Sequence, residues 1–249
     1  MNDSQRPSMM SVLKALGPAG VLGVAWVTVP VLAGFTLLFA LGPVALWLQD
    51  QGGWGIVIYI IVFMVTSGCG LLPTYAQAFL GGWVFGLTLG IPGALVGFTG
   101  GSLIGYFIAR QVSRDRVEAL IRQHDKASTI RDALIGRGYA RTLGIVTLLR
   151  VPPNSPFALT NLLLASCRVP LTIYIPSVAA GMLPRTALIV GFGAAAATQA
   201  AQTGSTDIQS FISESSGPYV MLGGLALLLG ILALISRIAN RALERAAGA

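Results

Sequence analysis

The sequence predicts an all-α fold: a polytopic membrane protein of inverted-repeat architecture, with two re-entrant helical hairpins, about four full transmembrane helices and an amphipathic helix on the cytoplasmic side. Three observations carry this expectation. Of 249 residues, 54% are hydrophobic and only 10% charged, against roughly 25% charged in a soluble domain. Residues 15–49, 51–109, 186–206 and 215–236 contain no Asp, Glu, Lys or Arg, and about 20 such residues suffice for a helix to cross a bilayer. The apolar stretches are broken twice by a similar pattern of prolines: Pro73 precedes Pro92 by 19 residues and Pro152 precedes Pro170 by 18.

The remaining charges orient the chain. Lys and Arg concentrate on cytoplasmic segments, so the net +7 does not call for nucleic acid. Between Arg110 and Arg141 lie eight basic and four acidic residues. The N-terminal tail carries Arg6 and Lys14, and the C-terminal tail Arg237, Arg241 and Arg245. These three segments belong inside, which makes both termini cytoplasmic. Segment 49–53, with Asp50, and segment 198–217, with Asp207 and Glu214, carry no basic residue and belong outside.

Each element follows in order. Residues 1–18 form a cytoplasmic tail, and 19–53 a first transmembrane helix and outer loop, bent by Pro30, Gly34 and Pro43. That run is longer than a secretory h-region and has no convincing cleavage site before Gln49, so it reads as a retained helix. Segment 54–197 is the core. "SGCGLLP" (67–73) and "LGIPG" (89–93) divide its first half into pieces too short for full spans, giving a hairpin over 54–88 and a crossing over 91–110. "RVPPNSP" (150–156) and "CRVPL" (167–171) divide its second half into a hairpin over 142–166 and a crossing over 170–197. The first unit starts outside and the second inside, the mark of inverted repeats in transporters. Between them, in 111–140, apolar residues recur at helical spacing and Glu118 stands four residues from both Arg114 and Arg122, as on an interfacial amphipathic helix; His124 falls here as a solvated residue. An outer loop (198–217) leads to the last transmembrane helix and basic tail (218–249).

Non-helical backbone at membrane depth survives only inside protein or along a wet cavity. Pro73, Gly81, Gly82, Pro152, Pro153 and Pro156 are therefore expected to mark the hairpin breaks. The half-helices that start there aim free N–H groups inward, where an anionic headgroup is stabilised. Asn154, Ser155, Asn161, Thr74 and Gln77 add neutral hydrogen-bonding groups. Arg150 stands at the break, suited to holding a phosphate bidentately, and Arg185 follows Pro184 within the long helix; Arg168 is placed to snorkel. No acid lies within 51–109 or 133–206, so the arginines need carbonyls, water or an anionic ligand. Gly93, Gly97, Gly101 and Gly105, spaced by four, form a helix-packing groove. Cys69 and Cys167 lie in apolar surroundings and read as packing residues. No nucleophile elbow, zinc-spaced cluster or intramembrane acid pair occurs, so neither an enzyme, a metal site nor a cofactor is expected.

The run "LLPTYAQAFLGGWVFGLTLGIPGALVGFTGGSLIGYFIAR", a basic segment, and then "RGYARTLGIVTLLRVPPNSPFALTNLLLASCRVPLTIYIPSVAAGMLPRTALIVGFG" resemble the core of the DedA or SNARE-associated Golgi protein (VTT domain) family across about residues 55–195. The most telling pieces are "GGWVFG" (81–86), "LLRVPPNSPF" (148–157) with Asn161, and "GMLP" (181–184). The resemblance implies a protein of the bacterial inner membrane with two opposed re-entrant hairpins, moving phospholipid or polyprenyl phosphate across the bilayer as a scramblase or flippase. Arg150 matches the family's arginine before the proline-rich turn. Gln77 is the nearest polar residue to a position where the bacterial DedA branch carries a carboxylate, which sets proton coupling in doubt, and Arg185 replaces a commoner small residue. The expected partners are membrane lipids with an anionic headgroup; a homo-oligomer is left open. Two other readings share the features: an ion-coupled secondary transporter of a small soluble solute, and a membrane scaffold.

Overall fold

The computed structural model describes residues 17–113, 138–152, 157–203 and 217–248. Every element among them is helical: α1 (Pro18–Asp50), α2 (Gly53–Gly68), α3 (Thr74–Ser113), α4 (Tyr139–Arg150), α5 (Phe157–Ser166), α6 (Leu171–Thr203) and α7 (Gly217–Gly248). Three of them, α3, α6 and α7, contain spans long and apolar enough to cross a membrane: Thr74–Val112, Leu171–Gln202 and Leu222–Ala242. Helix α1 runs unbroken through Pro30 and Pro43 for 33 residues.

Backbone geometry splits α3 in two. Gly86 sits at φ 65°, ψ −162°, outside any helical region and open to glycine at little steric cost. Residues 74–85 are thus a half-helix and 87–113 a long helix. The expected second break at "LGIPG" is corrected by this: the interruption lies at Gly86, and Pro92 falls inside the following helix. Gly81 and Gly82, expected to break the chain, are helical; their lack of side chains serves close approach instead. The first unit therefore reads α2, break, half-helix, break, long helix. The second repeats it as α4, break, α5, break, α6. Helix α5 has 10 residues, about 15 Å of rise, half of a bilayer core.

The two units interlock. The half-helix packs on α6, with Gly82 against the Val190 carbonyl and Gly193 against the Phe79 carbonyl, each glycine receiving the other helix's backbone. Phe79 and Phe192 meet beside them at 5.6 Å between centroids. Reciprocally, α5 packs on the long part of α3, where Gly105 faces Asn161 and Phe98 meets Phe157 at 5.6 Å. Each short helix is thus held by the long helix of the other unit. Three glycines of the stripe on α3 pack on α2: a Cβ at Gly93 would meet Ile56, at Gly97 Phe63, and at Gly101 Ser67 and Met64.

Both turns close their own polar groups. After α2, Gly70 takes φ 67°, and the N–H of Leu71 donates to Thr66 O at 2.8 Å and that of Gly70 to Ser67 O at 3.1 Å, a Schellman closure. After α5, Arg168 takes φ 55°, with Val169 N donating to Leu164 O at 3.1 Å and Arg168 N to Ala165 O at 3.0 Å. Ring donors finish the work: Trp26 Nε1 donates to Cys69 O at 2.9 Å, Tyr59 OH to Gln77 O at 3.0 Å, and Tyr106 OH to Val169 O at 2.9 Å. Both cysteines are free, Cys167 buried and Cys69 partly so.

Helix α7 continues to Gly248, so the basic C-terminal segment expected as a tail is helical; its Ala, Arg and Glu are strong helix formers. The amphipathic segment lies almost wholly outside the described residues, as does His124.

Gly82→Ala is expected to drive a methyl group into the Val190 carbonyl and to cost about 1–3 kcal/mol. Gly144→Ala, at a site with nothing within 4 Å, should be neutral or stabilising by up to about 1 kcal/mol. Thermal unfolding of the two variants in detergent compares them.

Candidate functional site

Arg150 is the last residue of α4, at the negative end of that helix, where a cation is favoured. It is 2% exposed. Glycine at 181 makes room for it: a Cβ there would lie 2.6 Å from both the Arg150 Cβ and the Thr147 carbonyl oxygen. The guanidinium Nη2 donates to Asn161 Oδ1 at 2.6 Å and to Tyr174 OH at 3.0 Å. Tyr174 OH lies 2.9 Å from Asn161 Oδ1 and 3.0 Å from Ser102 O, two acceptors for its single proton. One cluster thereby joins α4, α5, α6 and α3. The rings of Phe157 and Tyr174 lie 5.8 and 5.3 Å from the guanidinium carbon, within cation–π range.

These contacts leave the cation partly unsatisfied. Nε and Nη1, which carry three of its five N–H bonds, are buried without a partner among the described residues, as are Asn161 Nδ2 and Ser102 Oγ. The second buried cation, Arg185, is 3% exposed. Its Nη2 donates to Met182 Sδ at 2.7 Å, its carbon lies 5.6 Å from the Tyr75 ring and 5.7 Å from that of Phe98, and its Nε has no partner among the described residues. An arginine at a helix centre costs roughly 2.5–3.5 kcal/mol on insertion scales, and a desolvated cation–π contact returns about 2 kcal/mol. Ring faces, joined by neutral oxygens at Arg150 and a thioether sulfur at Arg185, therefore offset most of the burial of each arginine but leave donors unpartnered among the described residues. Compensation by aromatic faces is what reading the charges alone missed.

The other expected residues divide clearly. Asn161 lies beside Arg150. Thr74 opens the half-helix and is partly buried. Gln77 is buried but committed: its Oε1 accepts from Thr66 Oγ1 at 2.7 Å and its Nε2 donates to Leu72 O at 3.5 Å, so it ties the two sides of the first break rather than joining Arg150. Pro73 lies in that break, and Pro152, buried, in the second. Pro153, Asn154, Ser155 and Pro156 lie outside the described residues. Arg168 is exposed, apart from both buried cations. Tyr174 and Ser102 went unread; the available signal was that Tyr174 stands eleven residues, three helical turns, before Arg185 on one face of α6.

Described residues that are helical in every element, with long apolar helices, one buried cation at a helix break and another within a long apolar helix, point to a membrane protein. Residues 72–195 match the VTT domain, the domain of the DedA family, and the chain belongs to that family. No solved structure matches it.

Asn161→Leu is expected to leave the Arg150 charge short of an acceptor and to lower stability by about 3 kcal/mol. Tyr174→Phe keeps the ring face and should lose only about 1–2 kcal/mol. A double-mutant cycle on thermal unfolding should give non-additive losses.

Proposed function

We propose that this protein is a membrane lipid transporter of the scramblase or flippase type, moving a phospholipid or polyprenyl phosphate between leaflets, and that Arg150 receives the headgroup phosphate. The observation that carries this reading is a buried guanidinium whose Nε and Nη1 have no partner among the described residues, in a stretch of sequence that supplies no carboxylate between residues 133 and 206. A phosphate supplies both missing features, charge and acceptors, in the planar fork geometry that guanidinium favours. Asn161 and Tyr174 hold the fork in place, and the helix breaks let the polar path form without opening a full helix. No step in this reading is a chemical reaction, and it calls for no cofactor. The inner membrane, with both termini cytoplasmic, is the location proposed from the distribution of Lys and Arg.

Purified protein in liposomes should accelerate transbilayer movement of labelled anionic phospholipid or polyprenyl phosphate. Arg150→Ala should slow this by roughly 10–100-fold, the loss of charge-assisted hydrogen bonds, and Arg150→Lys, with charge but no fork, should fall between. Rates equal to those of protein-free vesicles would overturn the reading. Flux of a soluble anion that ignores lipid composition would favour the solute carrier instead.

A further inference from the structure

The buried side-chain atoms without a partner among the described residues fall into two groups. One comprises Arg150 with Asn161 and Ser102; the other is Arg185 Nε with Thr186 Oγ1. The Phe98–Phe157 pair stands between them, with Arg150 on Phe157 and Arg185 on Phe98. On another side of Arg185 is Tyr75, which is 37% exposed and also lines a groove of about 550 Å³ between the half-helix, α6 and α7. That groove is apolar, walled by Phe79, Phe192, Leu225, Leu229 and Leu232. Leu225 and Leu229 are exposed, so it opens on the outer surface of the helical bundle. A cation with a donor unpartnered among the described residues, separated from an apolar channel by the Tyr75 side chain, is complementary to an amphiphile: the channel offers nothing to a small soluble anion, and the guanidinium nothing to a neutral tail.

We propose that Arg185 heads a second anion subsite, separate from that of Arg150, where the phosphate of a lipid docks with its tail in the Tyr75–Leu229 groove. Tyr75 is the screen between groove and guanidinium. The subsite deepens the lipid-transport reading and rests on it for the direction of travel: the headgroup docks at Arg185 from the lipid-facing side and passes the Phe98–Phe157 pair to reach Arg150. Binding here does not require that transport follow.

The test is photo-crosslinking of the full-length protein in vesicles with phosphatidic acid carrying a diazirine near the end of its acyl chain, read by mass spectrometry of peptides from the half-helix and α7. Labelling of groove residues should exceed that by a diazirine diacylglycerol by about ten-fold or more, the worth of a charge-assisted phosphate contact. Arg185→Gln should reduce phosphatidic acid labelling to the diacylglycerol level, Arg185→Lys should restore part of it, and Arg150→Gln should leave it in place. Equal labelling by the two lipids in the wild type, or undiminished labelling in Arg185→Gln, overturns the subsite. So does an equal fall in Arg150→Gln, which would make the two arginines one site, and so does displacement by excess inorganic phosphate, which would make Arg185 a soluble-anion site. Arg185-dependent labelling in a protein that fails to accelerate lipid movement would sustain the subsite while removing the transport reading.

Discussion

The hydrogen-bonded cluster of Arg150, Asn161 and Tyr174 is the constraint on which the centre of this fold turns. Arg150 ends α4, Asn161 sits one turn into α5, Tyr174 lies near the start of α6, and the Tyr174 hydroxyl reaches the Ser102 carbonyl on α3. Four elements that share no local sequence are thereby fixed to one guanidinium. In a low-dielectric interior each of those contacts is strong, and each unmade one is costly. The glycine at 181 is part of the same constraint, since any side chain there would push Arg150 out of reach.

Broken helices need the same accounting. Every interruption exposes carbonyl and amide groups that lipid cannot satisfy. The chain answers with αL closures at Gly70 and Arg168 and with ring donors contributed by distant helices: Trp26 from α1, Tyr59 from α2 and Tyr106 from α3. Indole and phenol groups suit this task because their bodies pack in an apolar core while one polar atom reaches a partner. The interlock of the two units then follows from glycine. Gly82 and Gly193 admit the facing backbone at contact distance, so the half-helix, too short to be stable alone in water, is held over its length by α6.

Much of this was legible in the sequence, for identifiable reasons. The helices, the charge-free spans and the break read at 67–73 follow from composition and proline placement, and Arg150 with Asn161 from position at the second break. The glycine stripe from Gly93 to Gly105 was legible because small residues at four-residue spacing admit close packing whatever the partner. The break at Gly86 was not, since its sign is a backbone angle, and Pro92 nearby gave the stronger local signal while being absorbed within a helix. Gln77 shows the opposite failure: a buried amide reads the same whether it faces a ligand or staples a turn, and only the positions of Thr66 and Leu72 decide. Tyr174 went unread because a tyrosine in an apolar run does not name its hydroxyl's partner; only its helical register with Arg185 on α6 pointed to it.

The charge balance bears on what could drive the proposed transport. Between residues 51 and 109 and between 138 and 203 the chain holds no Asp, Glu or His, and arginine keeps its proton at any physiological pH. These stretches therefore hold no carboxylate or imidazole that could relay a proton near neutrality. A phosphomonoester headgroup brings its own titration close to that range. Coupling to a proton gradient within this core would have to act through the lipid's charge rather than through a carboxylate relay. Where the headgroup bears a fixed single charge, the same cations would serve movement in either direction, set by the lipid's concentration and by the membrane potential acting on its charge.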